Sequence, residues 1–288
     1  METFEFIKKG STLTRLLFIN IGVFIAIKLV NVGFFLMGRG DVWETMVSTA
    51  LALPADPVQL KVAPWTLFSY MFLHFDVWHI VANVLMLYWA GRLFTVRIGT
   101  GRLAGVYLMG GILGGIFYVA AYNFFPAFAE ILPQARMAGA SAAVIALLVA
   151  AAAYTPNYVL RFLIFGTVRL WQLAAILMLF YVLGIASSNA GGNIAHLGGA
   201  LYGLFFALKM RRNPTFDSGF TTWFKNIRQR LHKRPKIRVT YRNHTDLEYN
   251  RQKNQRQDEI NRILDKISKS GYDALTREEK EKLFKMDK

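Results

Sequence analysis

Asn189-Ala190-Gly191-Gly192-Asn193-Ile194-Ala195-His196-Leu197-Gly198-Gly199-Ala200-Leu201-Tyr202-Gly203 opens an apolar stretch that continues to Leu208. Gly199 and Gly203 form a Gly-x-x-x-Gly face, with Ala195 one step before them, and such a face lets two helices approach until their backbones meet. His196 stands three residues before Gly199, on nearly the same face, so the helix that packs there lies beside the imidazole. An ionisable side chain inside an apolar helix is costly in a bilayer and is a candidate for function by default.

Five further stretches have the same apolar character. A bilayer core of about 30 Å needs about 20 mostly apolar residues as helix. The spans expected are Leu16–Met37, Trp78–Phe94, Leu103–Phe124, Ala138–Ala153, Leu170–Ala186 and Ile194–Leu208. None has a continuous polar face at helical period, as the buried helices of a soluble core would on their outer side. Composition agrees: 54% of the 288 residues are apolar and 18% charged, against about 25% charged in an average soluble domain. That excludes disorder for most of the chain and a single well-solvated domain. Met1–Gly10 lacks a small-residue cleavage site after a short apolar core, so the first span is expected to stay as a membrane helix.

The formal net charge of +16 raises a nucleic-acid reading until its distribution is followed. Residues 1–210 hold 13 Lys/Arg and 7 Asp/Glu, and residues 211–288 hold 21 and 11. The chain is an apolar body with a short, charge-dense tail. Few aromatic residues interleave the tail's basic run Lys225 to Arg242, so no nucleic-acid partner is expected. Cysteine is absent, which excludes disulfides, a thiol nucleophile and a Cys-based metal site. No metal or other cofactor is expected.

Basic residues in short loops set orientation. Lys8, Lys9 and Arg15 precede the first span; Arg92, Arg97 and Arg102 flank the second connection; Arg161 and Arg169 lie between spans four and five; Lys209, Arg211 and Arg212 follow the sixth. The other connections are poor in base, so both termini are expected inside. Lys28, within the first span, is expected to snorkel, to face the bundle or to mark an earlier end of the span. In the long outer loop, Val42–Leu53 reads as a short apolar helix stopped by Pro54, lying in the membrane interface. Tyr158–Arg169 reads as an inner-face loop. The domains expected are a membrane body over 1–210, a basic linker over 211–257 and a small helical hairpin over 258–288. In the hairpin, Ile260, Ile263, Leu264 and Ile267 keep helical spacing, Gly271 is a stop, and Thr276-Arg277-Glu278-Glu279 is a capping box before a helix reaching Phe284. The basic run is expected either to touch anionic lipid headgroups or to be a solvated tether.

Spans two, four and six run from outside to inside, and each carries unusual groups near its outer end. His79 and Asn83 stand one turn apart on one helix face and can donate hydrogen bonds to one small anion, or can satisfy neighbouring backbone carbonyls. Gly139-Ala140-Ser141 opens the fourth span, where first-turn N–H groups lack intrahelical partners and the helix dipole favours negative charge. Alone, a serine among small residues signals close packing. The fourth span is the natural partner for the Gly199/Gly203 face, which sets His196 beside Ser141. A neutral histidine is the commonest base for a serine nucleophile. No Asp or Glu lies at that depth in the last three spans, so the arrangement is a Ser–His dyad.

With these motifs in order, the sequence resembles the rhomboid family of intramembrane serine proteases over about residues 14–210. Pro64 to His74 resembles the end of that family's outer first loop. His74, His79, Asn83 and Gly91 match its second-span signature, Gly139-Ala140-Ser141 its nucleophile motif, and Ala195-His196-Leu197-Gly198-Gly199 with Gly203 its last span. The resemblance implies an all-α integral membrane protein with a six-helix bundle, both termini inside, and a small helical tail. It implies Ser141 as nucleophile and His196 as general base, with His79, Asn83 and the Ser141 backbone N–H stabilising the oxyanion. Gly139, Gly199 and Gly203 would support the site by close packing. Substrates would be single-pass transmembrane proteins cut near the outer face, with span five and the loop before span six as cap and gate. The location implied is a bacterial cytoplasmic membrane. The chain departs from the family pattern at Ala142 (often Gly), at Ile145 (often an aromatic ring stacked on the histidine), at Thr66 (often Arg) and at Phe94-Thr95, where an acidic residue is usual. Two other readings stand beside it: a catalytically silent rhomboid-like protein binding transmembrane clients, and a transporter using His79, Asn83 and His196 as a polar path. The transporter would carry polar groups on to the inner side, but the inner parts of spans two, four and six are almost purely apolar and small.

Overall fold

The Ser11 hydroxyl accepts a hydrogen bond from the Thr14 amide at 3.2 Å and so starts helix α1, Thr12–Leu36. In the computed structural model, residues 11–162, 166–216 and 244–284 are described; Lys8, Lys9 and the run Lys225–Arg242 lie outside them. Helix α1 buries only Leu13, Leu16 and Asn20. Leu29, Phe35 and Leu36 are 68%, 72% and 79% exposed, the surface a helix presents to lipid rather than to water.

Helix α2, Gly40–Leu51, follows, tied back by the Trp43 indole N–H to the Ile27 carbonyl at 3.1 Å. Pro54 ends it as expected and enters strand β1, Leu53–Pro54, which pairs antiparallel with β2, Arg136–Met137. Helices α3, Val77–Arg97, α4, Leu103–Phe124, and α7, Ala190–Arg212, contain three of the remaining apolar stretches; α5, Ser141–Tyr154, starts three residues after the expected Ala138, and α6, Leu170–Leu183, gives way to a 3-10 turn over Gly184–Ala186. Among the described residues, three helices are long and apolar enough to cross a membrane: Thr12–Leu36, Val77–Arg97 and Thr100–Phe124. Ser141–Tyr154 and Leu170–Ala186 are shorter apolar helices. Helix α7 has the length, but its first turns are Gly- and Asn-rich and its last turn is basic.

Glycine decides how the bundle closes. A Cβ on Gly110 or Gly114 of α4 would overlap the Ala146 or Ala142 side chain of α5, and one on Gly199 or Gly203 of α7 would run into the Ala142 or Ala146 carbonyl oxygen. Helix α5 is therefore enclosed on both sides and is buried without break from Ala142 to Ala152. One end of the bundle gathers its basic residues. The Arg97 guanidinium lies 3.7 Å from the Tyr158 ring centre, and Arg102 donates to the Pro214 and Phe216 carbonyls at 2.7 and 3.0 Å. Ser141, at the opposite end of α5, faces away from this cluster.

Three expectations are corrected here. Tyr158–Arg169 is not a plain loop: β3, Val159–Phe162, pairs antiparallel with β4, Gly166–Arg169, using the weak alternation of the segment. The body does not stop at 210: α7 runs to Arg212, and the Phe216 ring packs against Phe205 and Phe206. The chain divides into compact units between Leu231 and His232. In the second unit, helix α8 spans His244–Ser270, so residues 244–257 are helix rather than linker. That stretch is polar on all sides and offers no apolar period, yet it is rich in Gln, Arg and Lys, good helix formers. Gly271, at φ +74°, ends α8, and α9, Arg277–Phe284, begins on a capping box in which the Thr276 amide donates to Glu279 at 2.7 Å and the Glu279 amide to the Thr276 hydroxyl at 3.3 Å. Ile263 and Leu275 are the buried apolar contacts, and the ion pairs Lys266–Glu279 at 2.9 Å and Lys282–Glu259 at 2.5 Å join the two helices.

Candidate active site

Asp76 precedes α3, and its carboxylate accepts the His79 amide at 2.9 Å. This fixes His79 in the first turn and Asn83 one turn deeper. The Asn83 side-chain amide donates to the His79 carbonyl at 3.0 Å, which uses one of its two N–H bonds and leaves the other. Across from His79 runs the segment before α5. Gly139 has φ +130°, and a Cβ there would lie 2.8 Å from the His79 ring carbon Cε1. The position demands glycine twice, for its backbone angle and for its closeness to the imidazole.

This segment is held from below. The Gly139 amide donates to the Tyr70 carbonyl at 2.9 Å, and the Ala140 amide donates to His74 Nε2 at 3.3 Å. His74 is fully buried, and burial, with a smaller push from the neighbouring His79 ring, holds its pKa down at about 4. Neutrality and geometry agree, since only an unprotonated Nε2 can accept the Ala140 amide. Tyr70 is buried too, with its hydroxyl donating to the Gly111 carbonyl at 2.6 Å. Burial raises its pKa above the ordinary tyrosine value.

Ser141 is the first residue of α5. Its Oγ lies 2.6 Å from His196 Nε2 on α7. The contact exists because Gly199, one turn beyond His196, brings the α7 backbone against Ala142. His196 Nδ1 is buried and has no hydrogen-bond partner among the described residues. The Tyr181 ring from α6 covers the imidazole with centroids 4.3 Å apart. Ser141, His196, His79 and Asn83 line one cavity of about 670 Å³, whose far wall carries Tyr118 and Tyr122. Gly191 backs directly on those two rings, where a Cβ would lie 2.8 Å from Tyr118.

The structure thus brings together the four candidate residues from three helices, with Gly139, Gly199 and Gly203 at the close contacts between them. Sequence reasoning did not find Tyr181, the wall tyrosines, or the grip of His74 on Ala140. No pattern in the sequence singles out Tyr181, which stands among the apolar side chains of α6. Chemically, a hydroxyl against an imidazole acceptor can be deprotonated as it attacks an electrophile. Unpaired first-turn amides and side-chain N–H groups in the same cavity can meet the negative charge that follows.

A family model described as Rhomboid domain matches residues 61–213, more than half of the chain. A second, described as a family of unknown function (DUF6576), matches residues 244–286. Among curated relatives, the chain is 34% identical over 93 residues to the Rhomboid protease GlpG of Salmonella choleraesuis (strain SC-B67), covering 32% of each chain. It is 33% identical over 93 residues to the proteins of that name from Salmonella newport (strain SL254) and Salmonella typhimurium (strain LT2), again covering 32% of each chain. The chain therefore spans about a third of the length of these relatives.

Proposed function

Because the chain belongs to the rhomboid family, we propose that it is an intramembrane serine endopeptidase that cleaves single-pass transmembrane proteins near the outer face of a bacterial cytoplasmic membrane. The observation that carries this reading is the 2.6 Å contact between Ser141 Oγ and His196 Nε2 inside a cavity shared with His79 and Asn83. A catalytically silent client-binding protein would need no such contact, and the geometry favours the enzyme.

In this reading Ser141 Oγ attacks the scissile carbonyl carbon while its proton passes to His196 Nε2. The carbonyl oxygen becomes an oxyanion that accepts hydrogen bonds from the Ser141 backbone N–H, the free N–H of Asn83 and His79. The tetrahedral intermediate collapses, the C–N bond breaks, and the leaving amine takes the proton from His196. Water, deprotonated by the same imidazole, then hydrolyses the acyl-enzyme and returns Ser141 to its starting state. No metal or cofactor enters the sequence.

The membrane arrangement follows from the same residues. We read α1, α3, α4, α5, α6 and α7 as six membrane helices with both termini inside. The gathering of Arg97, Arg102 and Arg211 at one end of the bundle supports that orientation. Helix α5 has 14 residues and so is about 21 Å long, too short for a hydrocarbon core of about 30 Å. Enclosed by its neighbours, it need not reach the outer surface, and Ser141 at its start lies below that surface.

The test is cleavage of a tagged single-pass substrate by purified protein in liposomes, beside Ser141→Ala and His196→Ala. The reading expects both variants to lose cleavage. Cleavage that persists in Ser141→Ala would overturn it.

A further inference from the structure

A serine–histidine pair backed by a carboxylate has its imidazole tilted and its tautomer fixed through the second ring nitrogen. His196 has no such backing: among the described residues Nδ1 is buried without a partner, and the hydroxyl at Nε2 is the group it must act on. Something else must hold the ring. The Tyr181 ring lies on it with centroids 4.3 Å apart and planes inclined by 54°. One turn further along both helices, the Asn193 side-chain amide donates to the Gly184 carbonyl at 2.6 Å. Gly184, in the turn that ends α6, follows Tyr181 by three residues, and Asn193 and His196 share a face of α7, so the two contacts form consecutive steps of one seam. Gly184 keeps that seam close, since a Cβ there would lie 2.6 Å from Asn193 Nδ2.

Away from this seam, the outer half of α6 is weakly held. The buried residues of α6 are Leu170 and Ala174, near its other end, while Leu179, Phe180 and Leu183 are exposed. Position 145 of α5, buried against the core, carries isoleucine and brings no ring to the histidine. The Tyr181 hydroxyl has no hydrogen bond among the described residues, so its ring rather than its oxygen makes the contact.

We infer that Tyr181 is the positioning residue for His196, an aromatic restraint that α6 packs against the imidazole ring, in place of the hold a triad's carboxylate exerts at Nδ1. The inference rests on the reading of Ser141 and His196 as the reacting pair. It makes readiness of the base depend on α6 being docked along the Tyr181–His196 and Gly184–Asn193 seam.

The test uses the full-length protein in detergent and measures the rate of covalent labelling of Ser141 by a fluorophosphonate, together with kcat and KM on the tagged substrate. The variants are Tyr181→Phe, Tyr181→Leu, Tyr181→Ala and Leu179→Ala, the last shortening an exposed side chain of the same helix. Loss of the ring in Tyr181→Leu or Tyr181→Ala should slow labelling and kcat about three- to tenfold with KM unchanged, the size expected for one aromatic contact. Tyr181→Phe and Leu179→Ala should keep the wild-type labelling rate. Wild-type labelling rates in both Tyr181→Leu and Tyr181→Ala would overturn the inference. So would a Tyr181→Phe or Leu179→Ala protein as slow as Tyr181→Ala. A wild-type protein that takes no label at Ser141 would instead overturn the reading of the reacting pair.

Discussion

Ser141 and His196 meet because nothing larger than hydrogen stands at Gly199. A Cβ at Gly199 would overlap the Ala142 carbonyl oxygen, and backbone is the neighbour least able to give way. Gly199→Ala should therefore push α7 off α5, destabilise the fold by about 1–3 kcal/mol and separate the reacting atoms. Thermal unfolding in detergent, read beside the cleavage rate, checks both effects; Gly22→Ala, with nothing within 4 Å, is the control that should move neither. This much was legible in the sequence, because a Gly-x-x-x-Gly face names its own partner surface. Two things were not. Asn83 gives one N–H to the His79 carbonyl, and only coordinates distinguish that bond from one aimed wholly at a ligand. Tyr181 reaches His196 from a helix whose outer side chains are almost all apolar, so no pattern marked it out.

At the scale of elements, the segment before α5 shows how a site is aimed by residues outside it. Met137 pairs with Leu53, the Gly139 amide is taken by Tyr70, and the Ala140 amide by His74. His74 is held neutral down to about pH 4 by burial, whereas an unfolded histidine takes a proton near pH 6.5. Between those values the unfolded chain binds a proton that the folded ring refuses. The stability tied to His74 is present above pH 6.5 and is lost as pH falls towards 4. Between pH 7 and pH 5 the wild type should lose roughly 2 kcal/mol more than His74→Gln, which keeps an acceptor and cannot be protonated. Unfolding midpoints of both proteins at the two pH values measure the difference, and equal losses would remove His74 from the account. Helix positions were legible from apolar runs, and α9 from its capping box. The start of α8 was not, because a helix polar on every side has the composition of a linker.

At the scale of the whole molecule, short-loop charge predicts an orientation, and the structure groups Arg97, Arg102 and Arg211 at the end of the bundle away from Ser141. The cysteine-free chain makes a direct test simple. A membrane-impermeant maleimide should label Val62→Cys in intact cells and Arg161→Cys only after permeabilisation. The reverse pattern would invert the bundle and place the site on the inner face. The count of crossings was less legible, because α5 is short and α7 begins with glycines. In the six-helix reading, their place would come from the neighbours that enclose them and not from their own hydropathy.

The central claim is that Ser141, activated by His196, is the reacting nucleophile, and covalent trapping tests it most directly. The protein is treated with a fluorophosphonate, so that a serine oxygen displaces fluoride from phosphorus, and the modified residue is mapped by peptide mass spectrometry. The account predicts one adduct, on Ser141, absent in Ser141→Ala and strongly slowed in His196→Ala. An adduct on another residue, no adduct at all, or full-rate labelling in His196→Ala would contradict it.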